Sequence, residues 1–140
     1  MAIIGLGDVG LAVAERAKAF GLSVSAVRKP NRTPRIQSAV RSIGIRMVDD
    51  LDTLLAESDV VSIHVPKAPD TAGLVDREFL AKLPDGAVLL NTSRGDVVDE
   101  EALLSALEAG RVRAGLDVFK DEPSNAVSYT HLTLPTTSRV

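Results

Sequence analysis
Three groups of residues in this chain have types and spacings that can do chemistry. The first is Gly5-Leu6-Gly7-Asp8-Val9-Gly10, which follows the apolar run Ala2-Ile3-Ile4 and opens into a helical rhythm of apolar residues. In a strand-turn-helix unit, Gly5 makes the turn, Gly7 admits a pyrophosphate against bare backbone, and Gly10 lets the helix pack closely on its strand. The unpaired N–H groups of the first helical turn and the positive end of the helix dipole then face the phosphates. Alone the pattern is easily matched by chance, since any glycine-rich turn between strand and helix fits it. The second group is Arg28, Lys29 and Arg32, where a second strand should end. A carboxylate there accepts hydrogen bonds from the ribose hydroxyls of NAD, whereas a guanidinium suits the 2′-phosphate of NADP. NADP over NAD is therefore expected, against the plain alternative of a solvated basic loop. The third group is His64-Val65-Pro66, at the carboxyl end of a buried strand, where ligands of open α/β sheets bind. His64 there either lines an adenine pocket or is an ordinary loop histidine.

The elements that must position these residues are legible in the hydrophobic pattern. The first helix is expected to bury Val9, Val13, Ala17 and Phe20 on one stripe and to stop at Gly21. Leu22 to Val27 reads as the second strand, Thr33 to Ser42 as a helix, and Ile45 to Val48 as a third, short strand. Asp49 or Asp50 caps a helix carrying Leu51, Leu54 and Leu55, and Asp59 to Ile63 is a buried fourth strand. Asp76 caps a helix through Phe79, Leu80 and Leu83, and Pro84-Asp85-Gly86 makes a turn. Ala87 to Asn91 is a fifth strand, opening into Thr92-Ser93-Arg94-Gly95. Asp99 starts a helix with Glu100 and Glu101 in its first turn, Leu103, Leu104 and Leu107 toward the sheet, and Gly110 as its stop. Val112 to Val118, with Asp117 near its end, is the sixth strand. Strand and helix alternating over this length predict a Rossmann-type, doubly wound parallel sheet with right-handed crossovers.

Composition agrees with one such domain. The chain has 140 residues, 3% aromatics, no Trp and no Cys, so its core is aliphatic and thiol chemistry is excluded. A net charge of -3, with both signs spread along the chain, points away from nucleic acid and from a membrane-seeking basic face. The apolar start carries Asp8 and Glu15 and lacks a basic leader, so a cytoplasmic location is expected.

The ordered set GLGDVG, SDVVSIHVP, LLNTSRGDVVDEEAL and AGLDVFKDEP makes the chain resemble the D-isomer-specific 2-hydroxyacid dehydrogenases, the group of phosphoglycerate dehydrogenase and glyoxylate/hydroxypyruvate reductase, from about Ile3 to Pro123. The resemblance implies an oxidoreductase that transfers hydride between NAD or NADP and a 2-oxo or 2-hydroxy acid, a homodimer when full length. It places Asp8 and Val9 at the pyrophosphate turn, and Arg28 at the ribose-carboxylate position. His64, Pro66 and Thr71 would line the adenine side, Thr92 and Ser93 the nicotinamide ribose, and Asp117 the carboxamide. Arg94 matches the arginine that grips the substrate carboxylate, and Glu122 the acid that pairs with a catalytic histidine. A guanidinium fork holds a carboxylate bidentately and leaves a donor for a developing alkoxide. An imidazolium held by Glu122 would supply the proton. The plain alternative for Arg94 is a loop arginine paired with Asp96 or Asp99.

Three departures accompany the resemblance. Asp8 puts a carboxylate beside the phosphate site, unfavourable unless it turns to solvent or caps a neighbouring N–H. The family's substrate domain is missing, so residues 1–123 are expected to be the cofactor domain of a fragment that binds nucleotide weakly and is inactive alone. From Ser124 to Val140 the Thr-rich tail leaves the family pattern and resembles translated adapter or vector sequence, or else a linker with a short strand. His131, followed by Leu-Thr-Leu-Pro, is not assigned as the proton donor, and no metal site is expected. A nucleotide-sensing module of corepressor type is the alternative function, disfavoured because a sensor needs no carboxylate clamp at Arg94.

Overall fold
The computed structural model describes residues 1–120. Glu122, His131 and the tail from Ser124 lie outside the described residues. The elements run β1 (Ala2–Ile4), α1 (Asp8–Ala19), β2 (Ser25–Val27), α2 (Pro34–Ile43), β3 (Arg46–Val48), α3 (Leu51–Ala56), β4 (Val60–Ile63), α4 (Arg77–Ala81), β5 (Ala87–Asn91), a single 3-10 turn (Gly95–Val97), α5 (Glu100–Glu108) and β6 (Val112–Leu116). All six strands are parallel, in the order β3-β2-β1-β4-β5-β6. The chain winds outward from β1 to one edge, returns through α3, and winds outward from β4 to the other, as the doubly wound expectation requires.

Each sheet face builds its own core. Ile3, Val24 and Ala26 meet Leu11, Ala14 and Ala17 of α1, with Ile36, Ala39 and Val40 of α2 packed alongside. On the opposite face Ile4, Val61, Ile63 and Leu89 meet Leu54 and Leu55 of α3, Phe79 and Leu80 of α4 and Leu103 of α5. Helix starts follow local chemistry: Asp50, Asp76 and Asp99 accept hydrogen bonds from the N–H groups of Thr53, Phe79 and Ala102 at 2.7, 2.8 and 3.1 Å. Thr33 caps α2 more weakly, accepting from Ile36 N at 3.4 Å.

Two expected helical faces are corrected. Val9 and Phe20 are 63% and 86% exposed, and α1 instead buries Gly10, Leu11, Ala14 and Ala17. The small side chain spacing at Gly10, Ala14 and Ala17 lets the helix approach the sheet closely, and this rotates Val9 outward. On α5, Leu104 is 53% exposed, because Ala102, Leu103, Ala106 and Leu107 form the inward stripe. Four strands are shorter than expected, β3 and β4 by only their first residue. β2 starts at Ser25, which pairs with Ala2 of β1 and Arg46 of β3. β6 stops at Leu116, opposite Asn91, where β5 ends.

The corrected face of α1 predicts that Leu11→Ala costs about 3 kcal/mol of stability in urea unfolding. Phe20→Ser should stay within about 0.5 kcal/mol of wild type. Similar losses in both would place Phe20 in the core instead.

Candidate functional site
The parallel ladders end in register. Ile4, Ile63, Asn91 and Leu116 lie opposite one another in a single row across β1, β4, β5 and β6. Ala2 pairs with Ser25, so Val27 closes β2 at the same level. The next residue on each strand is therefore Arg28, Gly5, His64, Thr92 or Asp117, a row roughly 19 Å long at the usual strand spacing. Three of these extend the ladder by one hydrogen bond: Arg28 N to Val48 O (2.6 Å), His64 N to Ile4 O (2.7 Å) and Asp117 N to Asn91 O (3.0 Å). Residues far apart in sequence are thus brought to one edge by backbone pairing.

At the centre of this row the glycine turn divides its tasks. Gly5 has φ +100°, and a Cβ there would overlap the carbonyl oxygen of His64. A Cβ at Gly10 would overlap the carbonyl oxygen of Gly5 and sit 3.3 Å from Ile3 Cγ2. Both glycines are required by the protein's own packing. At Gly7 a Cβ would meet nothing within 4 Å, and its φ of -86° is open to any residue. Gly7 is also the N-cap of α1, which has no side-chain cap, in contrast to α2 through α5. Bare backbone donors at a helix N-terminus are suited to an anion. Asp8 does not point its charge at them alone: its carboxylate pairs with Arg35 in the first turn of α2, at 2.7 Å.

At the β2 end Arg28 Nε donates to Asp49 at 3.1 Å, both side chains being exposed. Arg32, grouped in the sequence with Arg28 and Lys29, is the half-buried member. Its Nη2 donates to Val27 O at 2.6 Å, its Nε is buried without a partner, and burial lowers its pKa. A cavity of about 410 Å³ opens here, with Arg28, Lys29, Arg32 and Arg41 on its walls. At the β4 end His64 Nε2 and Ser62 Oγ are 2.8 Å apart, and burial holds the imidazole pKa below its ordinary 6.5. Pro66 is exposed, while Thr71 uses its hydroxyl inside the loop, facing Pro66 O at 2.7 Å and accepting from Ala68 N at 2.9 Å.

At the β5 end Thr92 is exposed, and Arg94 is exposed with Nη1 donating to Ser93 O at 2.7 Å. Neither expected carboxylate pairs with Arg94. Asp96 is held by Lys67, whose hydrogen bond and charge lower its pKa, and Asp99 caps α5. Among the described residues Arg94 makes no ion pair. Asp117 is exposed at the β6 end. A wider cleft of about 900 Å³, with Lys67, Asp96, Glu100 and Lys120 on its walls, lies beside the row between the loop after β4 and α5. No metal-binding cluster is present among the described residues.

Comparison with known proteins assigns this geometry to a family. The model of "D-isomer specific 2-hydroxyacid dehydrogenase, NAD binding domain" matches residues 1–137. The chain is 47% identical over 122 residues to D-3-phosphoglycerate dehydrogenase of Mycobacterium bovis, covering 86% of this chain and 22% of that protein. It is 42% identical over 124 residues to hydroxypyruvate reductase of Thermotoga maritima, covering 88% and 38%. Among solved structures, D-lactate dehydrogenase with NAD+ from Lactobacillus jensenii superposes with a TM-score of 0.75 at 32% identity, over 86% of this chain and 34% of that one. The pyruvate reductase of Chlamydomonas reinhardtii gives 0.76 at 40% identity, over 86% and 34%. The chain thus spans well under half the length of these relatives.

The depressed His64 pKa carries a sign. As pH falls through 6.5, the unfolded chain takes up this proton before the folded one, so stability present above that pH is progressively lost below it. The urea midpoint should therefore fall more steeply from about pH 7 to pH 5 in wild type than in His64→Gln. Parallel slopes would mean that His64 titrates freely in the fold.

Proposed function
We propose, on the premise that this chain belongs to the D-isomer specific 2-hydroxyacid dehydrogenase family, that the carboxyl edge of its sheet carries the nicotinamide dinucleotide of a 2-oxo or 2-hydroxy acid oxidoreductase. The observation that carries the reading is Gly7: a bare, uncapped helix start with open space above it, just past the carboxyl end of β1. Gly5, Gly7, Asp8, Val9 and Gly10 form the pyrophosphate turn. Val9 is exposed there, facing the position of a ligand instead of the core. Arg28 and Lys29, joined by Arg32, take the adenosine ribose and favour a 2′-phosphate. His64, Pro66 and Thr71 flank the adenine, and Thr71 contributes by shaping its loop. Thr92 and Ser93 adjoin the nicotinamide ribose. Asp117 offers a carboxylate acceptor to the amide hydrogens of the nicotinamide.

The bound dinucleotide supplies hydride exchange with the substrate's carbonyl carbon. This chain's contribution to that step is Arg94, whose guanidinium has no carboxylate partner among the described residues and so is available to a carboxylate substrate. Exchanging its neutral contact with Ser93 O for a charged, bidentate one is favourable. Protonation of the oxygen falls to an acid outside the described residues, with Glu122 as its partner by the resemblance.

Two measurements test the nucleotide reading. Gly7→Ala should melt within about 2 °C of wild type, because its Cβ meets only open space. Its affinity for NADH and NADPH should nevertheless fall about tenfold or more, since the methyl blocks close approach to the pyrophosphate. In calorimetry the wild-type chain should bind NADPH about tenfold tighter than NADH, and Arg28→Asp should reverse the order. Tighter binding of NADH by wild type overturns the cofactor preference, and unchanged affinity in Gly7→Ala overturns the phosphate site.

A further inference from the structure
Asn91 was not among the residues singled out in the sequence, yet among the described residues its side chain is the one fully buried polar group that reaches the Arg94 turn. It is 0% exposed and stands in the last paired row, between Ile63 and Leu116. Its Oδ1 accepts from Ser93 N at 3.0 Å and from Ser93 Oγ at 2.8 Å, and its Nδ2 donates to Arg94 O at 2.9 Å. Arg94 Nη1 in turn donates to Ser93 O at 2.7 Å. These bonds close a ring: Asn91 to Arg94, Arg94 to Ser93, Ser93 back to Asn91.

The partners dictate which way the amide faces. A backbone carbonyl can only accept, so the atom facing Arg94 O must be the NH2 group. A backbone N–H can only donate, so the atom facing Ser93 N must be the oxygen. A carboxylate at this position would set oxygen against oxygen at Arg94, and an aliphatic side chain would strand buried polar groups. The far side of the turn is held as well. A Cβ at Gly95 would overlap the backbone of Phe119, so the chain leaving β6 lies directly against the residue that follows Arg94.

We propose that Asn91 is a positioning residue, whose buried carboxamide holds Ser93 and Arg94 in a hydrogen-bonded ring and so aims the Arg94 guanidinium along the carboxyl edge of the sheet. The proposal rests on the reading of Arg94 as the group that holds the substrate carboxylate, and adds the side chain that sets its direction. Ser93 also acquires a defined state: its hydroxyl proton is committed to Asn91, so toward a ligand it acts as an acceptor.

The test uses the chain labelled with 15N. In Asn91→Leu, which removes both the acceptor of Ser93 N–H and the donor to Arg94 O, amide hydrogen exchange at Ser93 should speed up about tenfold or more, while the Leu89 and Leu90 amides of β5 stay within about threefold of wild type. The Arg94 Nε–H cross-peak should shift or broaden at the same time. With the chain saturated in NADH, the affinity for oxamate should fall about tenfold, a larger factor than the loss for NADH itself. Should Asn91→Leu fail to fold, Ser93→Ala removes only the Oγ bond and should change the Arg94 cross-peak in the same direction with a smaller, roughly threefold, loss of oxamate affinity. A Ser93 amide and an Arg94 cross-peak unmoved by either variant overturn the proposal. Failure of wild type to bind oxamate beside NADH would overturn the carboxylate reading of Arg94, and the exchange and cross-peak data would still decide whether Asn91 orders the turn.

Discussion
The site depends on parallel ladders that run out together. Because Ile4, Ile63, Asn91 and Leu116 close their strands in one row, the residue that follows each is delivered to the same edge at strand spacing. The ligand row is a consequence of register, and register in a sheet buried on both faces is strongly specified, since a one-residue slip would turn Ile63 and Leu89 out of one core and into the other. Aliphatic packing on the two faces therefore fixes where polar groups stand, although none of those groups contributes to the packing.

The glycine turn couples that register to the helix above it. Gly10 admits the carbonyl of Gly5, and Gly5 admits the carbonyl of His64, so α1, β1 and β4 interlock through two backbone contacts with no side chain between them. The helix start is consequently as well positioned as the strands are. Gly7, which packs against nothing, is the one glycine of the three whose bareness serves no internal purpose. That difference separates folding from binding at adjacent positions of one motif.

Much of this was legible in the sequence because the signals were local. Asp50, Asp76 and Asp99 cap helices through their own side chains, and Ala87 to Asn91 forms the expected strand to the residue. The face of α1 was misread because hydrophobicity alone favoured Val9 and Phe20, whereas the close approach made possible by Gly10 selects the small face. The strand limits of β2 and β6 depend on partners remote in sequence, which no local window contains. Asn91, and the burial that sets Arg32 apart from Arg28 and Lys29, were missed for a related reason. Each residue is important through burial, and burial of a polar residue is decided by tertiary packing. A faint signal existed for Asn91: an Asn closing an apolar strand, with Ser two positions on, is the pattern of an Asx turn.

Charges along the edge complete the arrangement. Asp8 pairs with Arg35, Arg28 with Asp49 and Asp96 with Lys67, each pair bridging two different elements and most of these side chains being exposed. Exposed pairs of this kind add little to stability, and water competes well for both partners. Their effect is selective. Asp8 and Asp96 are each given a cation, so neither carboxylate near the phosphate turn or near Arg94 stands as an uncompensated negative charge. Arg94 is left without a carboxylate partner among the described residues, and the half-buried Arg32 keeps an unpaired Nε beside the β2 end. An anionic ligand approaching the phosphate turn or the Arg94 turn therefore meets Asp8 and Asp96 already paired and the Arg94 guanidinium unspent, and can displace Asp49 from Arg28 at small cost. That balance is what a dinucleotide diphosphate and a carboxylate substrate, both negative, require of a protein whose net charge is itself -3.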